Sequence, residues 1–260
     1  MLNAFPIIQG RTFNSGFPTN PLFCPECLNN EEINVCRKYI LASVNYIDNQ
    51  KGVRRLVFPA GRYVIIGITS LIDELGKLTA SFEYEPYSRD KFGRSLFAFI
   101  GYCVSIKDIK KSQCIPDISD KELMDLYIKY VSPESVWNDP KVTSHKSVKC
   151  CINTKQIIEK PLDRNIFTNC TDELNRNIVD AVISRYAIGM PSSLCTNLQS
   201  EYILNDSLFT FMTTTLNKVS VPINTIPADA SNNSFPKLIK AAAIAGTAAI
   251  ATFTVIKLLR

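Results

Sequence analysis

Apolar positions recur along this chain with two periods, and the changes of period mark its elements. From Asn30, the residues Ile33, Cys36, Tyr39, Ile40, Val44 and Ile47 follow helical spacing, with Glu31 and Glu32 in the first turn. Asp48, Asn49 and Gly52 end that helix. Arg54 to Phe58 and Arg62 to Ser70 are then rich in β-branched and aromatic residues, joined by the turn signal Pro59-Ala60-Gly61. Leu78, Ala80, Phe82 and Tyr84 alternate with polar residues, which predicts a half-buried strand. Ser95 to Ile106 predicts a longer one. The polar stretch from Glu85 to Arg94 connects these two.

Helical spacing dominates the second half. Ser119 and Glu122 form a capping box ahead of Leu123, Met124, Leu126, Tyr127 and Tyr130. Thr171-Asp172-Glu173 opens a helix whose stripe is Leu174, Ile178, Val182, Ile183 and Tyr186, closed by Gly189 and Pro191. Tyr202 to Leu216 reads as one or two strands. Residues 1–28, rich in Pro, Phe, Asn and Gly and without a steady period, read as an irregular arm. There are no internal repeats. The expectation is an α+β body over 29–226: a mixed, mainly antiparallel β block at about 54–106 with flanking helices. Composition marks a possible subdivision near 108–118.

The last segment differs from all of this. Residues 227–236 are rich in Ser, Asn and Pro and read as a linker. Lys237 to Arg260 contains no acid, and its uncharged centre lies between Lys240 and Lys257. As a helix the 22 residues from Leu238 to Leu259 reach roughly 33 Å, enough for a ~30 Å hydrocarbon core. Lys240 and Lys257 would snorkel to the two interfaces, with Phe253 near one of them. The expectation is a single C-terminal transmembrane anchor. A surface-lying helix and a buried terminal helix are the competing readings. Ala242 and Gly246 give a small-xxx-small face through which such tails can self-associate into a homo-oligomer. The N-terminus lacks a basic, apolar signal pattern, so the body is expected in the cytosol at the membrane.

Charge takes its meaning from that tail. The chain of 260 residues carries 29 basic and 24 acidic residues, a net +5. Without the last 24 residues the balance is 25 against 24. A nearly neutral body does not point to a nucleic-acid partner, which would need Lys and Arg clustered over a face. Hydrophobic residues at 46% and charged residues at 20% exclude a disordered chain.

Candidate chemistry is sparse. Cys24-Pro-Glu-Cys27 is a lone Cys-x-x-Cys: half a zinc site, a redox pair, a site of S-acylation, or two plain thiols before a helix. The single histidine, His145, excludes a metal site of several imidazoles and reads as a loop residue. Phosphate-loop, dinucleotide and nucleophile-elbow patterns are absent, and neither a cofactor nor a metal is expected. The most specific element is the connection bearing Arg89, Asp90, Lys91, Phe92, Gly93 and Arg94. Its cations suit a phosphate or an acidic partner, and Phe92 suits an aromatic anchor. In the alternative, Asp90 pairs with a neighbouring Arg and Gly93 supplies a left-handed turn. Arg54, Arg55 and Arg62 would extend the patch if the sheet put them on one face.

These features predict a tail-anchored, non-catalytic binding or adaptor module working with a protein partner at a bilayer. Two other classes compete with it. One is an effector whose oligomerising tail permeabilises the membrane. The other is a membrane-tethered enzyme with carboxylates or cysteines gathered by the fold.

Overall fold

The computed structural model describes residues 2–11, 23–44, 52–80, 83–131, 141–142, 146–148, 150–151, 165–199, 208–216 and 224–227. The strands are β1 (Leu2–Gly10), β2 (Cys24–Pro25), β3 (Arg54–Ala60), β4 (Tyr63–Leu71), β5 (Phe97–Ser105), β6 (Ile115–Pro116) and β7 (Lys141–Val142). They continue with β8 (Lys146–Val148), β9 (Cys150–Cys151), β10 (Asn165–Thr168), β11 (Leu194–Cys195), β12 (Phe211–Thr213) and β13 (Asn224–Pro227). The helices are α1 (Asn30–Val44), α2 (Ile72–Thr79), α3 (Ile106–Ser112), α4 (Asp120–Tyr130) and α5 (Asp172–Ala187).

A mixed sheet of nine strands runs in the order β13-β10-β12-β11-β3-β4-β5-β1-β8, so the body is α+β. Its two halves differ. β3, β4, β5 and β1 pair antiparallel, and β11, β12, β10 and β13 pair parallel. β11 joins the halves by running antiparallel to β3. The β3–β4 hairpin turns at Gly61, whose φ of 58° suits the first central position of a two-residue hairpin loop.

Alternation along the central strands feeds two cores. Val64, Ile66 and Ile68 of β4 join Ala98, Ile100, Tyr102 and Val104 of β5 in one core, under α2, α3, α4 and α5. Tyr63, Ile65, Phe99 and Cys103 point the other way, towards Cys36 and Ile40 of α1. Strands covered on both faces read as continuous apolar runs, which is why β4 and β5 were plain in the sequence. Gly67 and Gly101 stand opposite each other in these strands. A Cβ on either would come within 2.8 Å of the Phe99 ring tip, so the two glycines make room for that ring.

Some elements differ from expectation. Leu2–Gly10, expected within an irregular arm, is a nine-residue strand between β5 and β8. Pro6 masks its strand signal, and its apolar run is buried rather than alternating. The strand expected from Leu78 is instead the end of α2, which stops at Ala80 in a left-handed cap with φ of 50°. Ile72, Leu75 and Gly76 are its buried side, and Leu78 is exposed. Between residues 108 and 118 lie most of α3 and all of β6, and one core draws Val104 and Ile109 together with Leu123 and Ile178 across that stretch. In the C-terminal region expected as a strand, Phe211–Thr213 is β12, and residues 200–207 lie outside the described residues. Pro227 closes β13; the rest of the 227–236 linker and the tail with Lys240, Ala242, Gly246, Phe253 and Lys257 lie outside the described residues. Among the described residues no helix is long and apolar enough to cross a membrane.

Candidate functional site

The Arg89–Arg94 loop leads into β5 and is shaped by one carboxylate. Asp90 Oδ1 accepts from the backbone N–H of Phe92 and of Arg94, both at 2.9 Å, and Oδ2 accepts from Arg94 Nε at 2.7 Å. Gly93, at φ of 76°, donates its N–H to the Asp90 carbonyl at 2.9 Å. Desolvation opposes the ionised Asp90, but the hydrogen bonds from Arg94 and Phe92 hold its carboxyl below the usual range. Arg89 donates to the Gly93 carbonyl at 2.9 Å and lies 3.6 Å from Asp73 of α2.

That geometry combines the pairing of Asp90 with an arginine, the alternative reading of this loop, with the display of Phe92 among cations. Phe92 is 71% exposed at the tip. Lys91 Nζ lies 5.1 Å and Arg94 Cζ 5.2 Å from its ring centroid, so two cations flank one projecting aromatic ring. The wider basic patch does not form. Arg54 and Arg55 are consecutive on β3 and therefore face opposite sides. Arg54 is buried and donates to the Ser43 carbonyl of α1, while Arg55 reaches Asp120 of α4. Arg62, at the far end of the hairpin, lies over the Tyr63 ring at 5.2 Å.

A second site was not read from the sequence. A cleft of about 250 Å³ opens between β6, the start of α4, and α5, lined by Arg55, Asp117, Ser119, Arg176, Asp180 and apolar neighbours. Asp120 binds Arg55 at 2.5 and 2.9 Å and Arg176 at 2.7 Å. Burial opposes its charge, but the two guanidiniums, Arg55 first, hold its carboxyl low. Asp180 goes the other way: burial and then the nearby Asp117 push it up to about 6. The one available signal was the spacing of Arg176 and Asp180 at i, i+4 on α5. The residues joining them come from β3 and from the β6–α4 connection, distant in sequence.

The cysteines form a third cluster. Cys24 and Cys27 pack against the core that holds Cys36 and Cys103. All four are free thiols, and among the described residues no group of three potential ligands is arranged to hold a metal ion. Hydrogen bonding to Cys103, and secondarily to Tyr63, outweighs burial and lowers Cys27 to about 7. Burial raises Cys24 to about 12 and pushes Cys36 and Cys103 up as well. His145 lies outside the described residues.

No family model matches this chain, and neither a curated protein nor a solved structure is similar enough to match it.

Proposed function

We propose that the chain is a membrane-tethered, non-catalytic binding module that captures an acidic protein partner through the Arg89–Arg94 loop. The observation that carries this reading is Phe92, 71% exposed between two cations on a loop shaped by Asp90. An aromatic anchor inside a cationic rim suits an acidic surface with an apolar pocket at its centre. The tether is residues 237–260. Holding the body at a bilayer raises its effective concentration towards partners on the same membrane.

The test places a photo-crosslinking residue at Phe92 of the full chain in membranes, with Leu78 as an exposed control position. The expected result is a protein adduct from position 92 that Lys91→Glu weakens and that position 78 does not give. Equal adducts from both positions, or none from 92, would sink the loop assignment. Removal of residues 237–260 is expected to shift the body into the soluble fraction. Unchanged fractionation with membranes would remove the tether. Dye leakage from vesicles that depends on residues 237–260 would replace the adaptor by a permeabilising effector.

Asp180 favours one other reading, a membrane-bound enzyme. A carboxyl raised to about 6 in a cleft beside Asp117 and two arginines suits proton transfer near neutral pH.

A further inference from the structure

We infer that the cleft between β6, the start of α4, and α5 binds a small aliphatic ammonium ion, with Asp180 and Asp117 receiving the charge and an apolar wall receiving the chain. Arg176, Val179, Asp180 and Ile183 stand at i, i+3, i+4 and i+7 on α5, so they form one stripe along the cleft. Ile66 of β4 and Ile115 of β6, both buried, extend its apolar side. Asp180 is half-buried and Asp117 is exposed, which puts one carboxylate inside and one at the rim. The volume of about 250 Å³ holds roughly eight waters at ~30 Å³ each, or an aliphatic amine of about six heavy atoms. The cleft shares no lining residue with the Arg89–Arg94 loop, so its ligand can be tested whatever the loop binds.

Hydrogen bonding decides the sign of the ligand. Both arginines of the cleft are committed to Asp120, which accepts from Arg55 at 2.5 and 2.9 Å and from Arg176 at 2.7 Å. Among the described residues, the carboxylates of Asp180 and Asp117 have neither a hydrogen bond nor an ion pair. Two cations and three carboxylates therefore meet here, and one further positive charge completes the balance. An ammonium group supplies that charge together with N–H donors for the unpaired oxygens. A bare inorganic cation would leave the apolar wall in water. An anion would face two unpaired carboxylates, and a zwitterion would have to draw an arginine away from Asp120.

Proton linkage gives the site a signature. The charged groups facing Asp180 are Asp117 from the β6–α4 connection, Arg55 from β3 and Arg176 from its own helix. α3 also packs on α5, but its Lys110 lies by Gly189, beyond the end of that helix. Burial and then Asp117 push Asp180 up to about 6, against the two arginines. A bound ammonium favours the ionised carboxylate, so at pH 6 it should displace a proton from Asp180. At about pH 8 Asp180 is already ionised and no proton should be released. The ammonium itself stays charged over this range.

The experiment titrates isoamylamine into the full chain in detergent by isothermal titration calorimetry, with isoamyl alcohol and free leucine as neutral and zwitterionic comparisons. The expected result is saturable amine binding at about pH 8, at least ~tenfold tighter than that of the alcohol and of leucine. Asp180→Asn is expected to weaken the amine at least ~tenfold, and the Asp117 repulsion it relieves makes loss of folding no explanation. Val179→Phe, which fills the cleft and keeps both carboxylates, should abolish binding. At pH 6 the heat should vary with the ionisation enthalpy of the buffer, and in Asp180→Asn it should not. Alcohol or leucine binding as tightly as the amine would overturn the proposal, as would amine binding that Asp180→Asn leaves unchanged or no saturable binding into the millimolar range.

Discussion

Replacing Asp120 by Asn should cost the body about 3 kcal/mol, and the structure shows where that cost arises. Asp120 and Arg55 are both nearly enclosed, with side-chain exposures of 7% and 12%, and they share a bidentate contact at 2.5 and 2.9 Å. The second cation, Arg176, is 50% exposed and contributes at most ~1 kcal/mol after screening by water. Most of the loss is therefore the Arg55 guanidinium left inside without its counter-charge. For a body of this size the unfolding midpoint should fall by roughly 6–12 °C, read by circular dichroism on the full chain in detergent. The double replacement of Arg55 by Met and Asp120 by Leu removes both charges and should recover most of the loss. Arginines hold the Asp120 carboxyl below its unfolded value, near 4, so its contribution is complete above that pH. It is lost as pH falls through the lower folded value, where mutant and parent should converge. An Asp120→Asn protein within about 1 kcal/mol of the parent at pH 7 would refute the reasoning.

Two further substitutions test other parts of the body. Asp180 has its folded pKa raised to about 6 by burial and then by Asp117, so the folded state holds a proton that the unfolded chain releases between pH ~4 and ~6. The body should become more stable as pH drops through that window, and Asp180→Asn should be more stable than the parent at pH 7.5 by on the order of 2 kcal/mol. Urea titrations that show the same gap at pH 4 would contradict this. Gly101→Val places a Cβ 2.6 Å from the Ile66 carbonyl on the neighbouring strand and 2.8 Å from the Phe99 ring. Overpacking there should lower the urea midpoint by the equivalent of at least ~1–3 kcal/mol, and an unchanged midpoint would mean that the β4–β5 pair can separate freely.

Local signals were legible and convergent ones were not. α1, the β3–β4 hairpin, β5, the Ser119 capping box and α5 each have a period or a cap contained within about fifteen residues, so the sequence alone placed them. β1 failed because Pro6 and burial on both faces erase alternation. α2 failed because Leu78, Ala80, Phe82 and Tyr84 alternate by coincidence, while the helix that actually forms packs through Ile72, Leu75 and Gly76. The same division runs through the sites. Asp90 with Gly93 and Arg94 is a turn of five residues, and its pairing could be read directly. The cleft beside Asp180 draws on β3, the β6–α4 connection and α5, and the cluster that Cys27 packs against draws on β5. Only a folded sheet brings such positions together.

Where the cations end up strengthens the case for the loop. Arg54 and Arg185 are buried, the first bonded to the Ser43 carbonyl and the second to Ser192 at 2.7 Å, with its guanidinium over Phe211. Arg55 and Arg176 neutralise one carboxylate between them. These charges work within the fold and offer little to a partner. At the loop the balance is reversed: Arg89, Lys91 and Arg94 outnumber Asp90, which is turned inward against backbone N–H groups. Lys91 and Arg94 also lie against the same ring, so a partner that covers Phe92 must shield both cations from water at once. In the proposed role, hydrophobic and ionic recognition are thereby joined in one contact. An apolar pocket without acids would strand the cations, and an acidic surface without a pocket would leave Phe92 in water. The binding role proposed for the loop therefore calls for a partner that carries both.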